Sequence, residues 1–241
     1  MSLRFNHEPG YVLHTRPYKE SSLLIDVFTR HHGRFMLLAK GARRVKRSQR
    51  GIVMPFKPLL FSWSGRGQLP VMTAVEATAH IAEFNLQTIQ SGCYINELVL
   101  KMLHRYDEHA VLFDHYDVAI HDLASGIEQS SVLRIFEKQL LKEAGFGLIL
   151  DHDSDTGAAI ESDASYCYLP EQGPIRETAQ ISAGLNIDGK TLLALEDEQF
   201  PTDRVRTQAR QLTRALIARQ LDGKPLRSRN VLQQVLRYRN L

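Results

Sequence analysis

Between Val27 and Val75 the sequence contains no aspartate or glutamate, yet it carries ten lysines and arginines. An acid-free stretch of that length cannot neutralise itself. It calls for anions from outside, and nucleic acid is the polymer that offers a row of them. The same absence argues against a metal-dependent nuclease centre here, because such centres need clustered carboxylates. Cysteine is scarce: Cys93 and Cys167 alone exclude a disulfide framework and a four-cysteine metal site. No apolar run approaches the ~20 residues that span a bilayer. The opening Met1-Ser-Leu-Arg-Phe-Asn-His-Glu8 has no apolar signal core. A soluble, cytoplasmic chain is the expectation. There is no glycine loop of the phosphate-cradling type, hence no sign of ATP use. No catalytic set stands out among the ten scattered histidines. Asp151-His-Asp153-Ser-Asp155 lacks the glycine and final glutamate of a calcium loop and reads as a solvated acidic loop. No enzyme activity, cofactor or metal is expected.

What is present is charge, unevenly spread. The formal net charge of +3 hides three blocks. Residues 80–200 hold 21 acids against 7 bases, and residues 204–239 hold ten bases against one acid. Six of the ten bases in the acid-free stretch fall within Lys40–Arg50. Such asymmetry points to partners better than the average does.

The first 80 residues read as five short strands: Tyr11–Thr15, Ser22–Thr29, Arg34–Lys40, Leu59–Trp63 and Leu69–Ala77. A small antiparallel barrel follows, of OB or SH3-like type; periodicity does not choose between them. From Asn85 the period turns helical, with Ile89, Cys93, Asn96, Leu100 and Leu103 near one stripe. Further helices are expected over 110–124, 131–144, 191–195, 202–220 and 228–238. Residues 150–188 read as an irregular acidic insert with a hairpin near Tyr166–Leu169. The expected class is α+β: an N-terminal barrel, 1–80, and a helical domain, 81–241.

Two basic surfaces are candidates for phosphate contact. The barrel offers Arg16, Lys19, Arg34, Lys40, Arg43, Arg44, Lys46, Arg47, Arg50 and Arg66. The C-terminal region offers Arg206, Arg210 and Arg214 at four-residue spacing, then Lys224, Arg227 and Arg229. These side chains would position a strand without reading its sequence. Among the barrel's aromatic residues, Tyr18, beside Arg16 and Lys19, is the candidate for stacking on a base, while Phe28 and Phe35 read as core. An RNA-binding or ribosome-associated OB protein fits the same charge map, and would differ in needing the 2′-hydroxyl.

Several segments resemble the RecO family of bacterial recombination mediators, in its gammaproteobacterial form. They are Tyr11-Val-Leu-His-Thr-Arg-Pro-Tyr-Lys-Glu20, Leu24–Thr29, Leu38-Ala-Lys-Gly-Ala-Arg43, Tyr94-Ile-Asn-Glu-Leu98, Leu133-Arg134, Phe136-Glu137 and Gly223–Ser228, in the family's order. The resemblance implies an OB-fold packed on a helical domain. It implies binding of single- and double-stranded DNA, annealing of complementary strands, contact with the single-strand-binding protein SSB and with RecR, and help in loading RecA. It places the protein at the nucleoid. Many members carry a four-cysteine zinc module in the region of 150–180, where this chain has only Cys167, so no zinc is expected. In this family the SSB contact is with its acidic C-terminal tail, which needs a cation beside an apolar slot. Arg134 is the expected partner of the tail carboxylate and Phe136 and Leu140 the slot; Lys138 and Lys142 are added by spacing.

Overall fold

The computed structural model describes residues 3–43, 52–65, 67, 69–78, 84–177 and 184–228. These form two compact units, one of residues 1–126 with 226–241 and one of 127–225.

The first unit is built on strands β1 (Arg4–Tyr18), β2 (Ser22–Thr29), β3 (Gly33–Ala39), β4 (Leu59–Ser64) and β5 (Val71–Ala77). They form a ring in the order β1-β2-β3-β5-β4. Every pairing is antiparallel except β3 with β5, which meet at one parallel pair, Leu38 and Val71. This five-stranded Greek-key ring is the OB connectivity, so the open choice between barrel types resolves to OB. Alternation in β3 buries Phe35, Leu37 and Ala39. They meet Val12, Ile25, Val27, Leu59, Phe61 and Trp63 in the barrel core. Each fully buried side chain of this kind contributes about 1.5–3 kcal/mol.

Strand β1 is longer than expected. It pairs with β4 through Arg4–Gly10 and with β2 through Gly10–Tyr18. Its first half was missed because Asn6, His7, Pro9 and Gly10 are poor strand formers. Gly10 is where β1 passes from one neighbour to the other. A Cβ there would meet Phe28 O, the Phe61 ring and Thr29 Cγ2, each at 3.0 Å.

Helices α1 (Leu86–Met102) and α2 (Ala110–Ala124) belong to the same unit as the barrel. The Asn96 amide donates to Leu13 O at 3.0 Å, and the Tyr116 hydroxyl donates to Asn96 Oδ1 at 2.6 Å. The Tyr11 hydroxyl donates to Asp117, and Arg30 forms a two-point ion pair with Asp114. Compact units therefore group α1 and α2 with residues 1–80. The stripe expected on α1, which Ile95, Leu98 and Met102 widen, holds at Ile95, Asn96, Leu98 and Leu103, all buried, and is corrected at its other edge. Ile89 and Cys93 are exposed, whereas Thr88, Ser91, Gly92, Ile95, Leu98 and Val99 are buried. Small residues face inward beside Ile95, Leu98 and Val99: a Cβ on Gly92 would lie 2.6 Å from the Phe56 ring.

The second unit contains α3 (Gln129–Glu143), strands β6 (Ser165–Leu169), β7 (Gly173–Arg176) and β8 (Leu185–Asp188), α4 (Gly189–Glu196) and α5 (Asp203–Gln220). Helix α3 begins two residues earlier than expected because Glu128 caps it, accepting from Ser130 and Ser131 N–H. Thr202 caps α5 as expected. The reading of 150–188 as an irregular insert is corrected. Its strands form an antiparallel sheet in the order β7-β6-β8. Tyr166, Cys167, Tyr168 and Ile187 are buried in it. Asp153, read as solvated, is also buried and accepts N–H groups from Asp155, Thr156 and Arg176 at 2.7–2.9 Å. That carboxylate and the sheet's apolar contacts hold the region. Among the described residues no group of three His, Cys, Asp or Glu is placed to hold a metal. No described helix is long and apolar enough to cross a membrane.

Candidate nucleic-acid interface

The β1–β2 turn, Tyr18–Ser22, gathers four of the described basic residues of the barrel. Arg43 follows β3 and is tied back to this turn: its N–H donates to Ser21 O at 2.9 Å and its guanidinium to Lys19 O at 3.3 Å. Lys40 is next to Ala39, which pairs with Leu23. Arg16 pairs with Leu24, which in turn pairs with Leu38, so Arg16 lies one strand from the end of β3. Arg16, Lys19, Lys40 and Arg43 are all exposed, with no carboxylate partner in an ion pair among the described residues. Lys19 stands at positive φ, and its ammonium lies 5.6 Å from the Tyr18 ring centre. A half-buried tyrosine framed by cations suits a base flanked by phosphates.

Arg34 does not join this group. It occupies the opposite end of β3, about 20 Å from Lys40 at ~3.3 Å per residue. It is half-buried and its Nε donates to Leu103 O at 2.7 Å. Burial, with Arg105 nearby, lowers its pKa below the usual arginine range. Arg44, Lys46, Arg47, Arg50, Arg66 and Arg229 lie outside the described residues.

The arginine stripe of α5 is partly spent inside the molecule. Arg206 donates to Phe200 O and to Asp203 and is half-buried. Flanking Arg204 and Arg219 pair with Asp188 and Glu171. Arg210 and Arg214 are exposed. Lys224 lies 3.4 Å from Asp222, and Arg227 is exposed. The acidic middle of the chain was not foreseen as the partner of these arginines, because nothing in local spacing joins Arg204 to Asp188.

The expected slot on α3 is corrected as well. Arg134 is 1% exposed and its Nη2 lies 2.6 Å from Glu137 Oε1. Phe136 and Leu140 are equally buried. Lys138 donates to Glu196 O at 2.8 Å and lies 3.3 Å from Glu198. The apolar face of this amphipathic helix is filled by its own unit, and Glu137 takes the cation. Only Lys142 of the set stands exposed.

Sequence reasoning also missed an aromatic cavity in the first unit. Phe5, His32, Phe35, Trp63, Pro70 and Tyr106 line a space of 540 Å³. Its signal was weak, since these residues are scattered from 5 to 106.

Comparison with known proteins accounts for both halves of the chain. The family described as "Recombination protein O N terminal" matches residues 1–81, and "Recombination protein O C terminal" matches residues 83–230. A protein of Azoarcus sp. (strain BH72), named DNA repair protein RecO, is 40% identical over 236 residues, 97% of this chain and 97% of its own. A DNA repair protein RecO of Dechloromonas aromatica (strain RCB) is 40% identical over 98% of this chain and 99% of its own length. That of Ralstonia nicotianae is 40% identical over 95% of this chain and 84% of its own. With the OB ring, the helices that follow it and full-length similarity in agreement, the chain belongs to the RecO family of DNA repair proteins.

Proposed function

We propose that this protein is a non-enzymatic recombination mediator that binds single- and double-stranded DNA and brings complementary strands together. The observation that carries the reading is the group of Arg16, Lys19, Lys40 and Arg43 at one end of an OB barrel, at the start of a run of bases with no acids. Cations there hold phosphates of two strands, lower their mutual repulsion and let bases pair. Exposed Arg210, Arg214 and Arg227 offer further phosphate contacts. Contact with SSB, with RecR and through them help to RecA belong to the same proposal, by family membership. Lys142 is the residue of the α3 set exposed to meet an acidic tail. The protein works at the nucleoid and needs no cofactor.

Fluorescence-anisotropy titration of labelled single strands over a salt series tests this. Log affinity should fall with log salt with a slope of roughly −0.7 per phosphate neutralised. Two complementary strands should anneal faster with the protein than without it. A flat salt response, or no gain in annealing, sinks the proposal.

A further inference from the structure

We infer that the aromatic cavity of the first unit is a receptor for a single unpaired nucleobase, separate from the phosphate-binding turn. This rests on the DNA-binding reading above. The cavity opens where the ring is weakest. Strand β5 pairs with β3 at Leu38 alone, so no β5 residue is paired with the Gly33–Phe35 end of β3. The segment after α1 takes that place: Tyr106 N–H donates to Arg34 O at 2.9 Å, and the Tyr106 hydroxyl donates to Gly67 O at 2.7 Å.

Two pairs of parallel rings form the walls. Phe5 stacks on Trp63 with centres 4.8 Å apart and planes at 17°. Phe35 stacks on Tyr106 at 5.3 Å and 20°. His32 stands edge-on to Phe5 and Trp63. Its Nδ1 has no hydrogen-bond partner among the described residues; Glu8 Oε1 lies 3.6 Å away. The volume of 540 Å³ falls within the span of small-ligand sites. Tyr106 is half-exposed and adopts φ +62°, a strained backbone for a tyrosine, which places its ring at the mouth.

The surroundings select a nucleotide. Arg4 pairs with Ser64 at the rim, and Arg105 adjoins Tyr106 and bridges to Arg34. A base inside the cavity therefore has cations near for the phosphates on either side of it. The acids close by are already engaged: Glu8 accepts from the His31 N–H at 2.8 Å, and Asp107 lies 3.4 Å from His109. Flat aromatic faces accept any base, so the site holds a base without reading it. A base held there is withdrawn from stacking with its neighbours, and a fully paired duplex has none to offer.

Trp63 is the only tryptophan in the chain, so its emission reports on this cavity alone. The experiment uses the full-length protein at one pH and salt, and follows anisotropy of the labelled nucleic acid and Trp63 emission together. The probes are a thymidine oligonucleotide, an abasic oligonucleotide of equal length, and a blunt duplex. All three should bind, but only the thymidine strand should change Trp63 emission. Tyr106→Ala should remove that change and weaken the thymidine strand about fivefold to tenfold, with duplex affinity unchanged, while Tyr106→Phe keeps the change. An equal emission change with the abasic strand or the duplex overturns the inference. So does a thymidine strand that binds without altering Trp63, which leaves the DNA-binding reading standing. Absence of binding by every probe overturns both. A change elicited only by an acidic peptide ending in phenylalanine also overturns it, and makes the cavity a peptide site.

Discussion

Arg134 Nη2 lies 2.6 Å from Glu137 Oε1, and both side chains are almost wholly out of solvent. Thr213 donates to the other oxygen of Glu137. Helix α3 is thus joined to α5 by a buried carboxylate with a cation on one side and a hydroxyl on the other. Two guanidinium nitrogens, Nε and Nη1, have no hydrogen-bond partner among the described residues.

Removing one member of that pair should destabilise the second unit strongly. Arg134→Ala leaves Glu137 buried without its cation, at a cost of about 3–5 kcal/mol. Arg134→Met with Glu137→Leu should recover most of it, since an apolar pair needs no charge to be desolvated. Urea unfolding of the three proteins checks this. If Arg134→Ala unfolds at the wild-type midpoint, the pair is energetically idle. A failure of Arg134→Ala to bind any ligand is then to be read first as a failure to fold.

Gly33→Ala should unfold the first unit more easily. A Cβ at this position would lie 1.8 Å from Asp107 O, and its φ is +61°. Overpacking and the left-handed backbone together cost about 3 kcal/mol. Asp107 follows Tyr106 in the segment packed on this end of β3, so a thermal melt should shift down and Trp63 emission should shift with it. An unaltered melt would show that the segment moves aside freely.

Asp153 predicts acid sensitivity in the second unit. Burial pushes its carboxyl up, but the N–H groups of Thr156, Arg176 and Asp155 outweigh this and hold it below the usual aspartate range. Because the folded value is the lower one, its stabilisation is complete above the ordinary range, near ~3.9, and is lost as pH falls through the folded value. Asp153→Asn should be less stable at neutral pH by about 1–3 kcal/mol. The gap to wild type should close as pH falls from about 4. Denaturation at several pH values measures it; a gap that stays constant down to acid would remove Asp153 from the account.

Lys40→Ala with Arg43→Ala should weaken DNA binding for all sequences alike. For every phosphate these cations no longer neutralise, the salt slope should become shallower by roughly 0.7 on single strands. Both residues are exposed, so melting should be unaffected. Sequence-dependent weakening would mean that these side chains reach the bases instead.

The barrel was legible because alternation is local: Phe35, Leu37 and Ala39 announce an inner face within five residues. The exposed bases grouped at its β1–β2 turn were legible for the same reason, since like charges without nearby acids stand out in any window. The helical half was harder. The 3.6-residue period found α2 and α5, and on α1 it found Ile95, Leu98 and Leu103 but added Ile89 and Cys93 and passed over the small residues that pack. On α3 it found the right helix and misread its role, because Arg134 and Glu137 look the same whether a pair is solvated or buried. Asp153 and the sheet around Cys167 depend on contacts between residues about 20 apart, which periodicity does not carry. The aromatic cavity joins residues about 100 apart and was invisible for that reason.

The carboxylate of Glu97 sits in α1, and its backbone partners lie more than a hundred residues later. It accepts the Arg227 and Ser228 N–H groups and the Ser228 hydroxyl at 2.8–2.9 Å. Burial pushes this carboxyl up, but those donors and Lys101 outweigh it and keep it low. The first unit is therefore finished by a segment that leaves the ribosome only after the whole of the second unit. While the chain is being made, the barrel and its two helices exist in an earlier form in which Glu97 has yet to meet its backbone donors. A nascent chain halted before residue 227 should hold the barrel's core but lack this last fastening.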